Sequence, residues 1–289
     1  MSRRRPLTPG RALSLGFQYL TLILISIVVL MPLWSLIVSS LKAPREYLET
    51  NRIVPPHDWL NFSNYLEAIF PEQANGITIG TAFVNTGIIL ACSLVALILL
   101  GSMTAFAINR FKFRGRTLIL AAYGALVAVP GILTPVSTFQ VLKLLHLTNT
   151  KWALVVLYSG VDIVSILIFI QFLRGISTEI DDSARLEGAN YFQIFFRLIL
   201  PMLTPAIATV VILRTVGIYN DLVLPFIYVP QPQEATVSMM LWNMAGYQSG
   251  TTQAVLLAAI VLVILPTVVG FFFLQRFIYA GITNGSVKG

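Results

Sequence analysis

The sequence is short of charge. Only 11% of its 289 residues are Asp, Glu, Lys or Arg, where soluble domains carry about 25%. With 56% hydrophobic residues and a mean hydropathy of +0.82, that shortage excludes an ordinary soluble domain and points to an integral membrane protein. Cysteine is nearly missing. The single Cys92 lies in an apolar run, which excludes a disulfide framework and a thiolate metal site. The only histidines, His57 and His146, stand far apart in the chain. A metal centre is therefore not expected, nor is the Ser/His pair or metal set of an intramembrane protease. There is no G-x-x-x-x-G-K-[ST], so no ATP is bound through a P-loop, and no G-x-S-x-G, H-E-x-x-H or C-x-x-C. No internal repeat is visible, which fits a secondary transporter poorly. The expectation is a chain that is not an enzyme and holds no cofactor.

What is present is a series of apolar runs, enough for about six spans of ~20 residues. They are expected at 17–41, 82–108, 118–139, 152–173, 202–228 and 254–279, giving an all-α membrane domain over 17–280 between a basic tail at 1–16 and a short tail at 281–289. The first run is too long for a signal-peptide core and has no small-residue cleavage pattern. Pro130, Gly131 and Pro135 predict an interruption of the third. The polar stretch 42–78, with Trp59, Phe62, Tyr65 and Phe70, predicts short interfacial helices.

Basic residues set the orientation. Arg3, Arg4, Arg5 and Arg11 precede the first run. Arg110, Lys112, Arg114 and Arg116 follow the second. Arg174, Arg185 and Arg197 lie between the fourth and fifth, and Arg276 and Lys288 end the chain. The alternate segments hold only Lys42, Arg45, Arg52, Lys143 and Lys151. Both termini and the 174–201 loop are thus expected in the cytoplasm. The net charge of +7 reads as topology with some affinity for anionic membrane lipids, not as a nucleic-acid surface.

The 174–201 loop is the most informative stretch. Asp181, Asp182, Arg185 and Glu187 cannot sit cheaply in lipid, yet Ile180, Ala184 and Leu186 allow a short amphipathic helix. Phe192, Phe195 and Phe196 continue an apolar face, and Thr178 with Asp181 fits a helix start. Gly188 either admits another backbone closely or breaks the helix. From the residues alone this is a solvated loop or a handle for a soluble partner.

The run Asp182-Ser183-Ala184, then Gly188 and the Leu200-Pro201 pair, resembles the EAA loop of ABC importer permeases, with Asp for Glu and Ser for the first Ala. Ala105-Phe106-Ala107-Ile108-Asn109-Arg110-Phe111-Lys112-Phe113-Arg114-Gly115 resembles the A-Y-A-x-x-R-F-x-F-x-G stretch of the carbohydrate-uptake branch. Val129-Pro130-Gly131, Leu147 to Thr150 with Trp152-Ala153, Asn220-Asp221 with Pro225, and the ending Gly281 to Gly289 are similar to that branch too. The resemblance covers roughly Thr81 to the end and favours the maltose-type second permease. It implies a multi-pass protein of the prokaryotic cytoplasmic (inner) membrane that imports a sugar or sugar derivative. The implied partners are a second permease, dimeric ATPase subunits that carry the ATP and Mg, and an extracytoplasmic substrate-binding protein. It implies a coupling helix in the 179–201 loop, with Asp182, Ser183, Ala184, Glu187 and Gly188 at the ATPase contact. A channel-like or structural subunit without ATP coupling is the alternative.

Polar groups inside spans mark a candidate pathway. Asp162 and Arg214 fall near mid-depth on consecutive spans, either as a structural ion pair or as groups lining the pathway. Asn220 and Asp221 lie nearer the outer end, where helix-end pairing competes with a pathway role. Asn85 and the small residues Gly80, Gly87, Ser93, Gly101 and Ser102 fit close helix packing. The segments 42–78 and 230–253 are candidate docking surfaces for the binding protein, or interfacial anchors through Trp242 and Tyr247.

Overall fold

The computed structural model describes residues 9–71, 78–128, 134–160, 162–246 and 250–286. Arg3, Arg4, Arg5, the Val129-Pro130-Gly131 match, Tyr247 and the final Val287-Lys288-Gly289 lie outside the described residues. Among the described residues the chain is helical, with no strand. The helices are α1 (Pro9–Ser40), α2 (Pro44–Glu49), α3 (Ser63–Ile69), α4 (Ile79–Arg110), α5 (Arg116–Val127), α6 (Pro135–Leu144), α7 (Lys151–Ser159), α8 (Ile163–Arg174), α9 (Glu179–Leu186), α10 (Tyr191–Ile194), α11 (Leu200–Met202), α12 (Thr204–Asn220), α13 (Val223–Tyr228), α14 (Val237–Ala245) and α15 (Gln253–Ser286).

Three helical stretches are long and apolar enough to cross a membrane unbroken: Ser14–Ser40, Ile79–Arg110 and Gln253–Phe272. At about 1.5 Å per residue, the 32 residues of α4 reach ~48 Å, past a ~30 Å hydrocarbon core at one end or both. Two bent pairs pass the same test when each is taken together, α7 with α8 at 45° and Tyr191–Met202 with α12 at 71°. The run expected at 118–139 is carried by α5 and α6, each too short to cross alone.

The bends have local causes. The fourth run is not the continuous helix expected. It stops at Ser159 and restarts at Ile163, with Asp162 in extended conformation as the cap. The Asp162 carboxylate accepts from the Ser165 N–H at 3.0 Å and the Ser165 hydroxyl at 2.7 Å, meeting donors that a new helix start leaves free. The 71° bend falls at Leu203. Pro205, in the first turn of α12, has no N–H for the Pro201 carbonyl, and the Thr204 hydroxyl donates to that oxygen instead at 2.6 Å. The fifth run also ends early, at Asn220, with α13 following after Asp221.

The chain divides into two compact units, Met1–Ala74 with Met244–Leu265, and Asn75–Asn243 with Pro266–Gly289. In the first, the polar stretch after α1 folds back on that helix end. Lys42 is fully buried, its Nζ donating to Thr50 Oγ1 at 2.9 Å and the Asn51 carbonyl at 2.7 Å. Asn64 donates to the carbonyls of Ser40 and Lys42 at 2.8 and 2.7 Å. In the second unit α4 is the central helix and packs on α7, α8 and α12. Ser93, Gly101 and Ser102 are buried there, as their size allows, and the Ser93 hydroxyl donates to the Val155 carbonyl at 3.4 Å. Gly80 and Gly87 are exposed on this chain.

Candidate functional site

The functional candidates fall in two places of the second unit. The first is α9. Along its 8 residues Glu179, Asp182, Ser183, Arg185 and Leu186 are exposed, as is the capping Glu187, while Asp181 and Ala184, three positions apart, share the buried face. Leu186 is 91% exposed, an apolar side chain with no cover of its own. Three acidic residues, Glu179, Asp181 and Asp182, occupy the first turn and Arg185 the last, the order that suits the helix dipole.

The helix stops at glycine. Gly188 has φ +88° and donates to the Arg185 carbonyl at 3.0 Å, while the Ala189 N–H reaches the Ala184 carbonyl at 3.0 Å. This is a Schellman ending, which only a residue at ease in the left-handed region makes without strain. No other atom lies within 4 Å of where a Cβ would be, so within this chain Gly188 ends the helix and its open side is left for a neighbour. The expected helix start is different. Thr178 is already helical and makes no side-chain cap; the Ser177 hydroxyl accepts from the Glu179 N–H at 3.2 Å instead.

Arg110, the last residue of α4, carries the buried side of α9. Its Nε lies 2.7 Å from Asp181 Oδ2, and its Nη2 donates to the Ile176 carbonyl at 3.0 Å. Burial pushes the Asp181 carboxyl up from its ordinary range, and the Arg110 charge works against that push. Beside the pair runs an aromatic chain. Phe111 meets Tyr191 at 4.9 Å and Phe106 at 6.0 Å, and Phe106 meets Phe195 at 5.4 Å. The single apolar face expected of Phe192, Phe195 and Phe196 is not formed: Phe195 is buried, whereas Phe192 and Phe196 point out. Phe195 and Phe196, neighbours at the start of a π-helical stretch (Phe195–Ile199), meet edge to face at 5.0 Å.

The second place is the break between α7 and α8. Here Arg214 Nη1 approaches Asp162 Oδ2 at 3.5 Å, so two of the four pathway candidates are brought together. Asp221 is held otherwise. It accepts from the Tyr158 hydroxyl at 2.9 Å and from the backbone of Val223 at 2.8 Å, and its carbonyl accepts from the Ser238 hydroxyl. Asn220 turns its amide to the Val216 carbonyl of its own helix at 2.9 Å. Asn85, read as packing glue, ties loop to helix. It donates to the carbonyls of Gln233 and Ala235 at 2.9 and 3.3 Å and accepts from Lys151 Nζ at 2.8 Å. Lys151 Nζ also lies 3.2 Å from Glu234. Among the described residues no group of three or more His, Cys, Asp or Glu could hold a metal ion.

The Arg110–Asp181 and Lys151–Glu234 pairs were not foreseen from the sequence. The three-residue spacing of Asp181 and Ala184 was the one signal for the first, since it puts an acid on the apolar side of α9.

A helical chain with uninterrupted and broken apolar spans, and a polar helix held at the end of one of them, is a membrane permease in architecture. The family comparison makes this specific: residues 98–283 match the binding-protein-dependent transport system inner membrane component family, and the chain belongs to it. It is a permease subunit of ABC importers, a transport component and not an enzyme. Its relatives include the diacetylchitobiose uptake system permease protein of Streptomyces coelicolor, 31% identical over 94% of this chain and 89% of that protein. The galactooligosaccharides transport system permease protein of Bacillus subtilis is 27% identical, covering 96% and 97%. The maltodextrin transport system permease protein of Streptococcus pneumoniae is 28% identical, covering 96% and 97%. In fold the chain is similar to a bacterial ABC transporter involved in the import of the acidic polysaccharide alginate, with a TM-score of 0.80, 16% identity, and 94% and 99% of the two chains covered.

Proposed function

We propose that the chain is one of two permease subunits forming the pathway of an importer for an oligosaccharide or related sugar derivative in a prokaryotic inner membrane, and that α9 is the coupling helix on which separate ATPase subunits act. The exposed α9, with Leu186 outward and Asp181 tied to the end of α4, is the observation that carries this reading. A polar helix that packs through two of its eight residues leaves most of its surface for a partner. The basic residues around α9 and at both chain ends support a cytoplasmic position for that helix and the termini. The sugar class is supported by the substrates named for the relatives. ATP and Mg belong to the ATPase. A binding protein would dock on an outer segment, 42–78 or 230–253; support comes from the likeness, at a TM-score of 0.56, to the alginate transporter in complex with a pentasaccharide-bound periplasmic protein.

In this reading hydrolysis moves α9, and α9 tilts the spans between inward- and outward-open states. Asp182, Ser183, Glu187 and Gly188 lie on the exposed side and serve the contact, whereas Ala184 is buried and holds the helix in place. Asp162 and Arg214 at the helix break are candidates for the pathway wall. Cross-linking tests the central claim. With Leu186→Cys in an otherwise unaltered complex, a short bifunctional reagent should join this chain to the ATPase. Reaction of the same cysteine with an impermeant label from outside intact cells would sink both the contact and the orientation.

A further inference from the structure

The exposed side of α9 explains how a partner could grip it, but not how the grip reaches the spans. The covalent routes are the short turns 175–178 and 187–190, and a turn bends before it transmits. The non-covalent route is narrower. α9 turns only Asp181 and Ala184 fully inward. Asp181 meets Arg110, whose side chain is 7% exposed against 12% for the carboxylate. The same guanidinium binds the Ile176 carbonyl just past the end of α8, 66 positions away in the sequence. One side chain therefore joins the end of α4, the end of α8 and the first turn of α9.

Neither Arg110 Nε nor Asp181 Oδ1 has a well-aligned hydrogen-bond partner among the described residues. The contact is a largely buried opposite-charge pair at 2.7 Å. Charge attraction tolerates a change of angle better than a hydrogen bond does, which suits a joint that must stay closed while its parts tilt. The stem is rigid: α4 is one helix of 32 residues packed along α7, α8 and α12.

We propose that Arg110 is the positioning residue of energy coupling, a latch that makes α4 follow α9, so that work done on α9 moves the spans packed on α4. The inference rests on α9 being the ATPase contact and adds how the movement leaves it. A latch sets how much substrate moves for each ATP spent, not whether the partner binds.

The test uses the assembled complex in proteoliposomes with substrate-loaded binding protein. Arg110→Gln, Arg110→Lys, Asp181→Asn and the double change Arg110→Gln with Asp181→Asn are compared for three readings: ATPase retained on purification, rate of ATP hydrolysis, and substrate moved per ATP. The expected result for Arg110→Gln is an assembled, hydrolysing complex whose substrate per ATP falls fivefold or more. Arg110→Lys, which keeps the charge, should recover at least half of that loss. The double change should do no worse than Arg110→Gln, because no unpaired charge is left. Unchanged substrate per ATP in assembled Arg110→Gln overturns the latch. So does a fall in transport that only matches the amount of complex recovered. If none of the single variants assembles, the pair belongs to the folding core and the inference is wrong. Loss of the Leu186→Cys cross-link in the otherwise native chain would instead remove the coupling reading itself, so the two failures are told apart.

Discussion

At the scale of single residues, Gly188 matters through its backbone conformation and Asp162 through its side chain. Gly188 sits at φ +88° with open space around its missing Cβ. A larger residue there meets no clash but pays about 1–2 kcal/mol for the left-handed conformation, and Asn pays less than Val. Stimulated ATP hydrolysis by the complex should accordingly fall in the order Gly188, Gly188→Asn, Gly188→Val; equal rates for the two variants would show that backbone conformation is not what counts. Asp162 is both a helix cap and one half of an ion pair. Asp162→Asn keeps the cap and loses the charge, while Asp162→Ala loses both. The melting temperature of the purified complex should drop further for Asp162→Ala, by the roughly 1 kcal/mol a cap is worth. If the pair is structural, Asp162→Asn with Arg214→Leu restores assembly and transport together. If the residues line the pathway, single changes leave assembly intact and alter substrate affinity or choice.

At the scale of elements, α9 and the segment around Glu234 differ in what they lean on. Leu186 contributes little to the chain's own stability because it is 91% exposed. Leu186→Asp should leave the yield and thermal stability of the free chain within about 0.5 kcal/mol of the original, yet cut recovery of the ATPase in pull-downs by an order of magnitude. The element after α13 has the opposite character. Lys151, Asn85 and Glu234 pin it, and Val237 N–H closes on Thr86 Oγ1 at 3.1 Å. Lys151→Ala leaves Asn85 and Glu234 without their cation. Hydrogen exchange over 232–240 should quicken in that variant while exchange over α9 stays the same; uniform protection would show that the pin is redundant.

At the scale of the whole molecule, the proposed topology and the lack of a nucleotide motif lead to one joint expectation. The isolated chain in liposomes should neither hydrolyse ATP nor pass sugars, and activity should return only with the second permease and the ATPase. Sugar flux through the isolated chain would favour a channel. The legible part of this protein is also largest at this scale. Long apolar runs announce spans because transfer into lipid is a sum over neighbouring residues and needs no tertiary contact. The α9 helix was legible because its charges forbid lipid and its apolar residues are spaced for one face.

Helix continuity was less legible. Apolar composition over 152–173 reads the same whether the backbone runs straight or breaks, and the break before Ile163 appears only with Asp162 turned onto Ser165. Thr178 looked like a cap and is not one, because capping depends on backbone angles that the neighbouring turn sets. The sequence alone determined that this is a helical membrane protein with a polar loop between its fourth and fifth apolar runs, and its motifs pointed to the permease family. Tertiary structure alone decided which polar residues meet. Arg110 and Asp181, Lys151 and Glu234, and Tyr158 and Asp221 are each far apart in the chain. A charge or hydroxyl drawn partly or wholly out of water costs least beside its partner, and that partner is fixed by how the helices pack, which no local pattern encodes.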